Sequence, residues 1–489
     1  MHALNGPCRA IALAAIGSIA LAQQAQAQPE VLQRLEQLER RQAELEAELE
    51  QRDARIQALE ARIAPATERA EPAVSERPVQ SFAATDVTID RDGRFQPGGA
   101  GFKLADTRFG DVNFSAWSYA RYLNQKELDD TYTDAFGRTR TIDQRNDLQL
   151  NKVNLYFKGW VFDPAFHYFL YTWSANTSQG DDAQVVVAGN LGYRFSDKLD
   201  LNAGIGALPG TRSLRGTFPY WTKVDTRPMA DEFFRPSYTT GIWASGELAE
   251  GLEYKVMVGN NMSQLGVSAA QLDSTFNTVS AGIWWMPATG EFGANGGYGD
   301  FDEHEEVATT FGWHVTRSRE DAQHQPNTEA IENSQIRLSD GTIIFTPNAF
   351  GSAGQITKAT YLMTSLDAGV KYRGFALEGE AYFRWVDDFA SEGVIPVDEL
   401  YDNGIQLQAS TMVVPQKLQA YLATSKVFGE YGDPYDVALG LNWYPLKQRL
   451  MRVNTELLYL KNSPVGYSSV PYVVGGNGTV FSANLEMVF

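Results

Sequence analysis

The sequence has one cysteine, Cys8, and it precedes an apolar run that reads as an export signal. The exported chain would therefore hold neither a disulfide nor a thiolate metal site. Beyond the N-terminus no apolar stretch is long enough to cross a membrane as a helix, which excludes a helical inner-membrane bundle. Positive charge is also scarce: 41 Lys and Arg face 60 Asp and Glu, a net charge of -19. Neutralising a phosphate backbone needs the opposite balance, so nucleic-acid partners are not expected. Histidine is rare too. After the signal only His167, His304, His314 and His324 remain, too few to suggest a hydrolytic nucleophile–histidine pair, and neither catalysis nor a cofactor is expected.

What is abundant is aromatic residues, at 12%, and glycine, at 43 residues. The mean hydropathy of -0.30 resembles that of a soluble protein. A transmembrane barrel reaches such a value by alternation, because one face of each strand is apolar and the other polar.

The N-terminal residues divide into three parts. Arg9 precedes the apolar run 10–22, and Ala25-Gln26-Ala27 supplies the small residues of a cleavage site, so residues 1–27 read as a signal peptide. Residues 28–63 carry apolar positions stepping by four and three: Val31, Leu35, Leu38, Leu45, Leu49, Ile56, Leu59 and Ile63, with Gln42 and Arg52 filling two gaps. With Leu35 at an a position, Arg34, Arg41 and Arg55 at g face Glu39, Glu46 and Glu60 at e in a parallel assembly, and only Glu48 and Asp53 clash. This favours an α-helical coiled coil for self-association over a solvated single helix, without separating dimer from trimer. Residues 64–100, with Pro65, Pro72 and Pro78 among Ala, Glu and Arg, form a linker.

From residue 101 to 489, segments of about ten residues alternate apolar and polar positions, as expected for barrel strands. Val153, Leu155, Phe157 and Val161 share one face, and Lys152, Asn154, Tyr156 and Lys158 the other. Ile405, Leu407 and Ala409 alternate with Gln406, Gln408 and Ser410, and Val437, Leu439 and Leu441 with Asp436 and Asn442. A polar interior predicts a water-filled middle. Short turns are expected at Phe162-Asp163-Pro164, Ser196-Asp197-Lys198, Ala249-Glu250-Gly251, 287–290, Arg373-Gly374, Val414-Pro415-Gln416 and 445–448, with long connections between them. A plain count gives 17 strands, which would leave the chain ends on opposite sides of the membrane. Assigning residues 307–317 to a long outer excursion, 301–358, restores parity and predicts an all-β fold, a 16-stranded antiparallel transmembrane β-barrel. Its last strand places Phe481, Ala483, Leu485, Met487 and Phe489 on one face, and the terminal Phe489 is similar to the signal read by the barrel assembly machinery.

The order of signal, coiled coil, linker and barrel resembles the phosphate-selective porin O/P family. The stretch Leu191-Gly192-Tyr193-Arg194-Phe195 to Leu208-Pro209 and the stretch Asp225-Thr226-Arg227-Pro228-Met229-Ala230-Asp231-Glu232-Phe233-Phe234 carry the resemblance, which extends over the barrel. It implies an outer-membrane homotrimer among lipids that passes small solutes or ions, with anions such as phosphate drawn past basic residues. It also implies that the connection between strands five and six, residues 210–235, folds into the pore. That connection carries Arg212, Arg215, Lys223, Arg227 and Arg235 against Asp225, Asp231 and Glu232. Charge in a narrow, low-dielectric constriction acts strongly on a passing ion. The alternative is that these arginines pair with the loop's own acids or with the wall. Where the family pattern has Lys before x-Pro this chain has Ala207, with Ile205 and Gly206 before it.

Alternation places Lys152, Lys158, Arg194 and Lys255 inward as further candidate pore cations. It also places Lys371, Arg384 and Arg452 inward, beside Glu253, Asp367, Glu378, Glu380, Asp436 and Glu456. The acidic run 300–306 around His304 reads as a solvated outer loop, since no spacing converges its carboxylates on a divalent cation. A non-channel alternative makes the coil the interaction module of a barrel-anchored adhesin. The coil is expected in the periplasm.

Overall fold

The structure, a computed structural model, describes Arg40 and residues 101–175, 184–215, 218–262, 275–288, 297–322, 336–466 and 469–488. The segments expected to be signal peptide, coiled coil and linker, and Phe489, lie outside the described residues, apart from Arg40. Residues 82–489 belong to one compact unit.

Sixteen strands form a closed antiparallel ring. In chain order they are β1 Gly110–Leu128, β2 Asn146–Val161, β3 Asp163–Ala175, β4 Gln184–Ser196, β5 Leu199–Ala207, β6 Tyr238–Ala249, β7 Leu252–Gly259 and β8 Thr278–Trp285. They continue with β9 Ala308–Asp321, β10 Gln355–Tyr372, β11 Phe375–Glu392, β12 Leu400–Val414, β13 Leu418–Phe428, β14 Tyr435–Trp443, β15 Met451–Lys461 and β16 Gly478–Val488. Each pairs with its neighbours in sequence, and β16 closes on β1 from Gly478↔Leu128 to Val488↔Trp117. Closure satisfies the backbone of every strand and leaves no edge. A short strand, Phe102–Thr107, doubles back on the start of β1.

The count of sixteen matches the expectation, but the element set aside to reach it was the wrong one. Residues 307–317 are not part of an outer loop. They lie largely in β9, which pairs with β8 through Thr278↔Ser318 to Trp285↔Phe311 and with β10 along its length. β8 ends at Trp285 and β9 begins at Ala308, so the two are joined by a long connection where a short turn at 287–290 was expected. Parity constrains only whether the number of crossings is even, and either choice satisfies it.

The period-2 pattern sorts side chains as expected. Ile405, Leu407, Leu439 and Leu441 point outward and are about half exposed, while Gln406, Gln408, Ser410, Asp436 and Asn442 point inward and are buried. Aromatics gather at both rims of the outer face. Phe109, Phe162, Phe195, Trp285, Phe375 and Trp443 stand exposed at the short-turn end. At the other end lie the outward pairs Trp385–Tyr401 and Tyr435–Tyr459, with ring centroids 5.3 and 6.0 Å apart. In water this outer face would cost roughly 25 cal/mol per Å² of apolar surface, a penalty that a hydrocarbon surround removes.

Candidate functional site

The barrel interior is entered from both ends. From the long-loop end the connection between β5 and β6 drops into the lumen, as the family resemblance implies. It begins with a 3-10 turn, Arg212–Leu214, and ends with helix α1, Met229–Phe234. Met229, Ala230, Phe233 and Phe234 fall on successive turns of α1, so a helix this short still presents an apolar surface. That surface packs on inward Leu123, Tyr382, Val427, Ala438, Leu458 and Leu460. The Phe234 and Tyr382 rings stack at 5.2 Å, and the Ala230 N–H donates to Ser425 Oγ at 2.9 Å. Part of the lumen is therefore an apolar core, where alternation alone predicts water.

The basic residues of this loop are placed against acids. Arg212 meets Glu378 Oε2 at 2.5 Å, and its backbone N–H reaches Glu380 Oε1 at 3.2 Å. Glu232 takes both Arg227, at 3.2 Å, and Arg235, at 2.7 Å. Lys223 lies 3.4 Å from Glu456, and the wall residue Lys152 lies 2.8 Å from Asp225 of the loop. All of these side chains are buried. Arg384 with Asp402 and Arg452 with Glu486, both at 2.6 Å, complete a band of neutralised pairs. Lys255 donates to Ala207 O at 2.9 Å and sits over Trp243. Arg194 is partly exposed, 3.4 Å from Asp200, and Lys158 is half-buried toward the same short-turn end.

Arg215 differs. Among the described residues its guanidinium touches only an aromatic face, 5.0 Å from the Trp284 ring, and its Nη1 is buried without an acceptor. Burial and the adjacent Arg212 charge pull it down from the usual arginine range, to about 10. Arg449 is also placed against rings: it lies 5.0 Å from both the Tyr220 and Phe301 rings, and among the described residues its Nε has no acceptor.

From the short-turn end the connection between β8 and β9 also enters. Residues 297–301 are buried, and the chain is exposed again by 305–307. The Tyr298 N–H donates to Tyr220 O of the long loop at 2.7 Å, and the Arg212 guanidinium covers the Tyr298 ring at 4.6 Å. The Gly299 N–H reaches Glu378 Oε1 at 2.9 Å, and Lys371 Nζ reaches Gly297 O at 2.5 Å. The run 300–306 is accordingly not an outer loop. Its Asp300 accepts from the Gly374 N–H at 2.7 Å and meets His304 Nδ1 at 2.5 Å, while the Arg373 N–H donates to His304 O at 2.8 Å. Burial pushes the Asp300 carboxyl upward, but the hydrogen bonds from His304 and Gly374 outweigh it and hold the group below its ordinary 3.8. No group of potential metal ligands converges among the described residues.

The third large connection, between β9 and β10, crosses the mouth. Asp340 accepts from the Ala135 N–H at 2.9 Å, Ser339 Oγ accepts from the Tyr431 N–H at 3.0 Å, and Arg138 donates to Asn348 O at 2.7 Å. His314 is no loop residue: it points inward from β9 between Pro209 O, at 2.9 Å, and Asp367, at 2.8 Å. His167, on β3, lies 2.9 Å from Asp200, and His324 is outside the described residues. Two cavities beside the long loop, one lined by Tyr220, Tyr298 and Arg449 and one by Arg121, Lys223 and Glu456, measure about 10 Å³ each. Each has room for roughly one water.

Sequence reading missed Gly297, Tyr298 and Arg449 as lumen residues. The run Gly296-Gly297-Tyr298-Gly299-Asp300 was the available signal, since glycines flanking an aromatic suit close backbone approach. No family model matches the chain, and no curated protein does. Among solved structures it is similar to an anion-selective porin from Comamonas acidovorans, at 10% identity and a TM-score of 0.48, covering 78% of this chain and 100% of that one. It is also similar to OmpT, an outer membrane protein of Vibrio cholerae in its trimer form, at 11% identity and a TM-score of 0.46, covering 78% and 100%. A third is Salmonella typhi OmpF in complex with daunomycin, at 12% identity and a TM-score of 0.47, covering 79% and 100%.

Proposed function

We propose that the chain is an outer-membrane porin that passes small hydrophilic solutes by diffusion and performs no chemistry. The observation that carries this reading is the closed sixteen-stranded ring with an apolar, aromatic-rimmed outside and a polar inner wall. Such an inversion of a soluble protein's polarity is stable only with lipid around it, and barrels of this size enclose a channel. In this reading the short-turn end faces the periplasm. The coiled coil lies there, and its heptad seam supports a homo-oligomer; that the oligomer is a trimer is our proposal from the family resemblance.

An anion preference, and phosphate preference within it, is the finer part of the proposal. It rests on Arg215 and Arg449, because the other loop cations are matched by carboxylates. Reconstitution into planar bilayers tests both levels. Discrete conductance steps are expected, with a reversal potential under a KCl gradient that favours chloride. Absence of steps from a folded barrel sinks the channel reading, and cation preference sinks the anion reading alone.

A further inference from the structure

We propose that the narrowest part of this channel is a joint between two inserted pieces. The long loop between β5 and β6 is one, and residues 297–304, entering from the short-turn end, are the other and set the size limit. The inference rests on the channel reading above. Four contacts carry it. The two pieces are bonded directly, Tyr298 N–H to Tyr220 O at 2.7 Å. Their approach is so close that a Cβ added at Gly297 would lie 2.3 Å from the Tyr220 Cβ and 2.6 Å from its carbonyl oxygen. Real Cβ atoms do not tolerate such distances, so the joint as built requires glycine.

The third contact is a pin. Asp300 and His304 tie the segment to the Arg373–Gly374 turn through the Gly374 N–H at 2.7 Å and the Arg373 N–H at 2.8 Å. Phe301 is the fourth, packing on Tyr444 at 4.9 Å and under Arg449 at 5.0 Å, so a second turn of the same rim holds the segment. At the centre of the joint the Tyr298 hydroxyl is buried with no hydrogen-bond partner among the described residues. A buried orphan hydroxyl is destabilising by itself, and its place at the meeting point of the two pieces suits a residue retained to narrow the passage. Tyr298 is thus a specificity-determining residue acting by size, and Asp300 and His304 are positioning residues.

The test is single-channel recording of the full-length protein and of Gly297→Ala, Tyr298→Ala and Asp300→Asn, with heat-modifiable migration on gels as the check that each barrel is folded. Conductance is expected to rise about twofold or more in all three as the joint opens, with larger sugars entering in liposome swelling. For a variant that reads the site without disturbing the fold, Tyr298→Cys in a Cys8→Ser background is recorded before and after a cationic methanethiosulfonate reagent. Modification is expected to lower conductance. If the wild-type protein conducts and the variants match it in conductance and sugar size limit, with no effect of the thiol reagent, the joint is not the constriction. If the folded wild-type protein forms no channel, the channel reading falls and this inference with it.

Discussion

The long loop that enters between β5 and β6 is held largely by buried charge pairs and an apolar helix face, whereas residues 297–304 are held largely through their backbone groups, two of them bonded to Glu378 and Lys371, with one Asp–His pair and an edge-on ring contact. The difference shows in where their partners sit. Arg212, Lys223 and Lys152 meet groups across the lumen, so the loop is tied to opposite walls. Asp300 and His304 meet the turn at residues 373 and 374, so the short-turn piece is tied to the rim it came from. The first piece is thus built into the barrel's interior energetics, and the second can be released locally.

Glu378→Ala breaks the comparison at its strongest point. It leaves the Arg212 guanidinium buried without its carboxylate and removes the acceptor of the Gly299 N–H, so a destabilisation of about 3–5 kcal/mol is expected, read as a lower temperature of barrel unfolding on heated gels. Phe234→Ala empties the contact with Tyr382 and is expected to destabilise loop docking by about 3 kcal/mol, seen as faster proteolysis of the loop with the barrel intact. If either variant leaves loop protection unchanged, the loop does not depend on these anchors.

Smaller effects sharpen the contrast. Arg215→Ala and Arg449→Ala remove guanidinium groups that form no ion pair among the described residues, so stability should hardly move while anion preference falls; an unchanged reversal potential in the double variant would show that selectivity resides elsewhere. The smallest effect is that of acid on the short-turn piece. The Asp300 carboxyl is held below its ordinary value, so its contribution is complete above that value and is lost as the pH falls through the folded value, below about 4. Conductance should rise in that range alone, and Asp300→Asn should be insensitive to it. A flat profile in the wild type would separate the pin from the titration of Asp300.

Much of the ring could be read before any coordinates. Leu439 and Leu441 against Asp436 and Asn442 declare their faces locally, because successive side chains of a strand must alternate. The inward leucines Leu458 and Leu460 were harder: nothing beside them in the chain announces α1, which arrives from a distant loop. The same holds for the basic loop. Its residues were visible as candidates, but whether Arg212 stays free or meets Glu378 depends on a strand far along the chain. The confusion of residues 307–317 with loop has a similar origin, since β9 presents small or polar inward residues such as Thr310, Gly312 and Ser318, a weak periodic signal, whereas the glycine-rich run at 296–299 has no strong pattern of its own.

The sequence alone determined the strand faces and the parity of crossings, because both follow from a period of two and from short turns that recur on one side. Tertiary structure decided which cations remain unmatched, which connection enters from the short-turn end, and how much of the lumen is filled. Those outcomes depend on pairings between residues a hundred or more positions apart, such as Arg212 with Glu378 and Lys223 with Glu456, which only closure of the ring brings within hydrogen-bond distance.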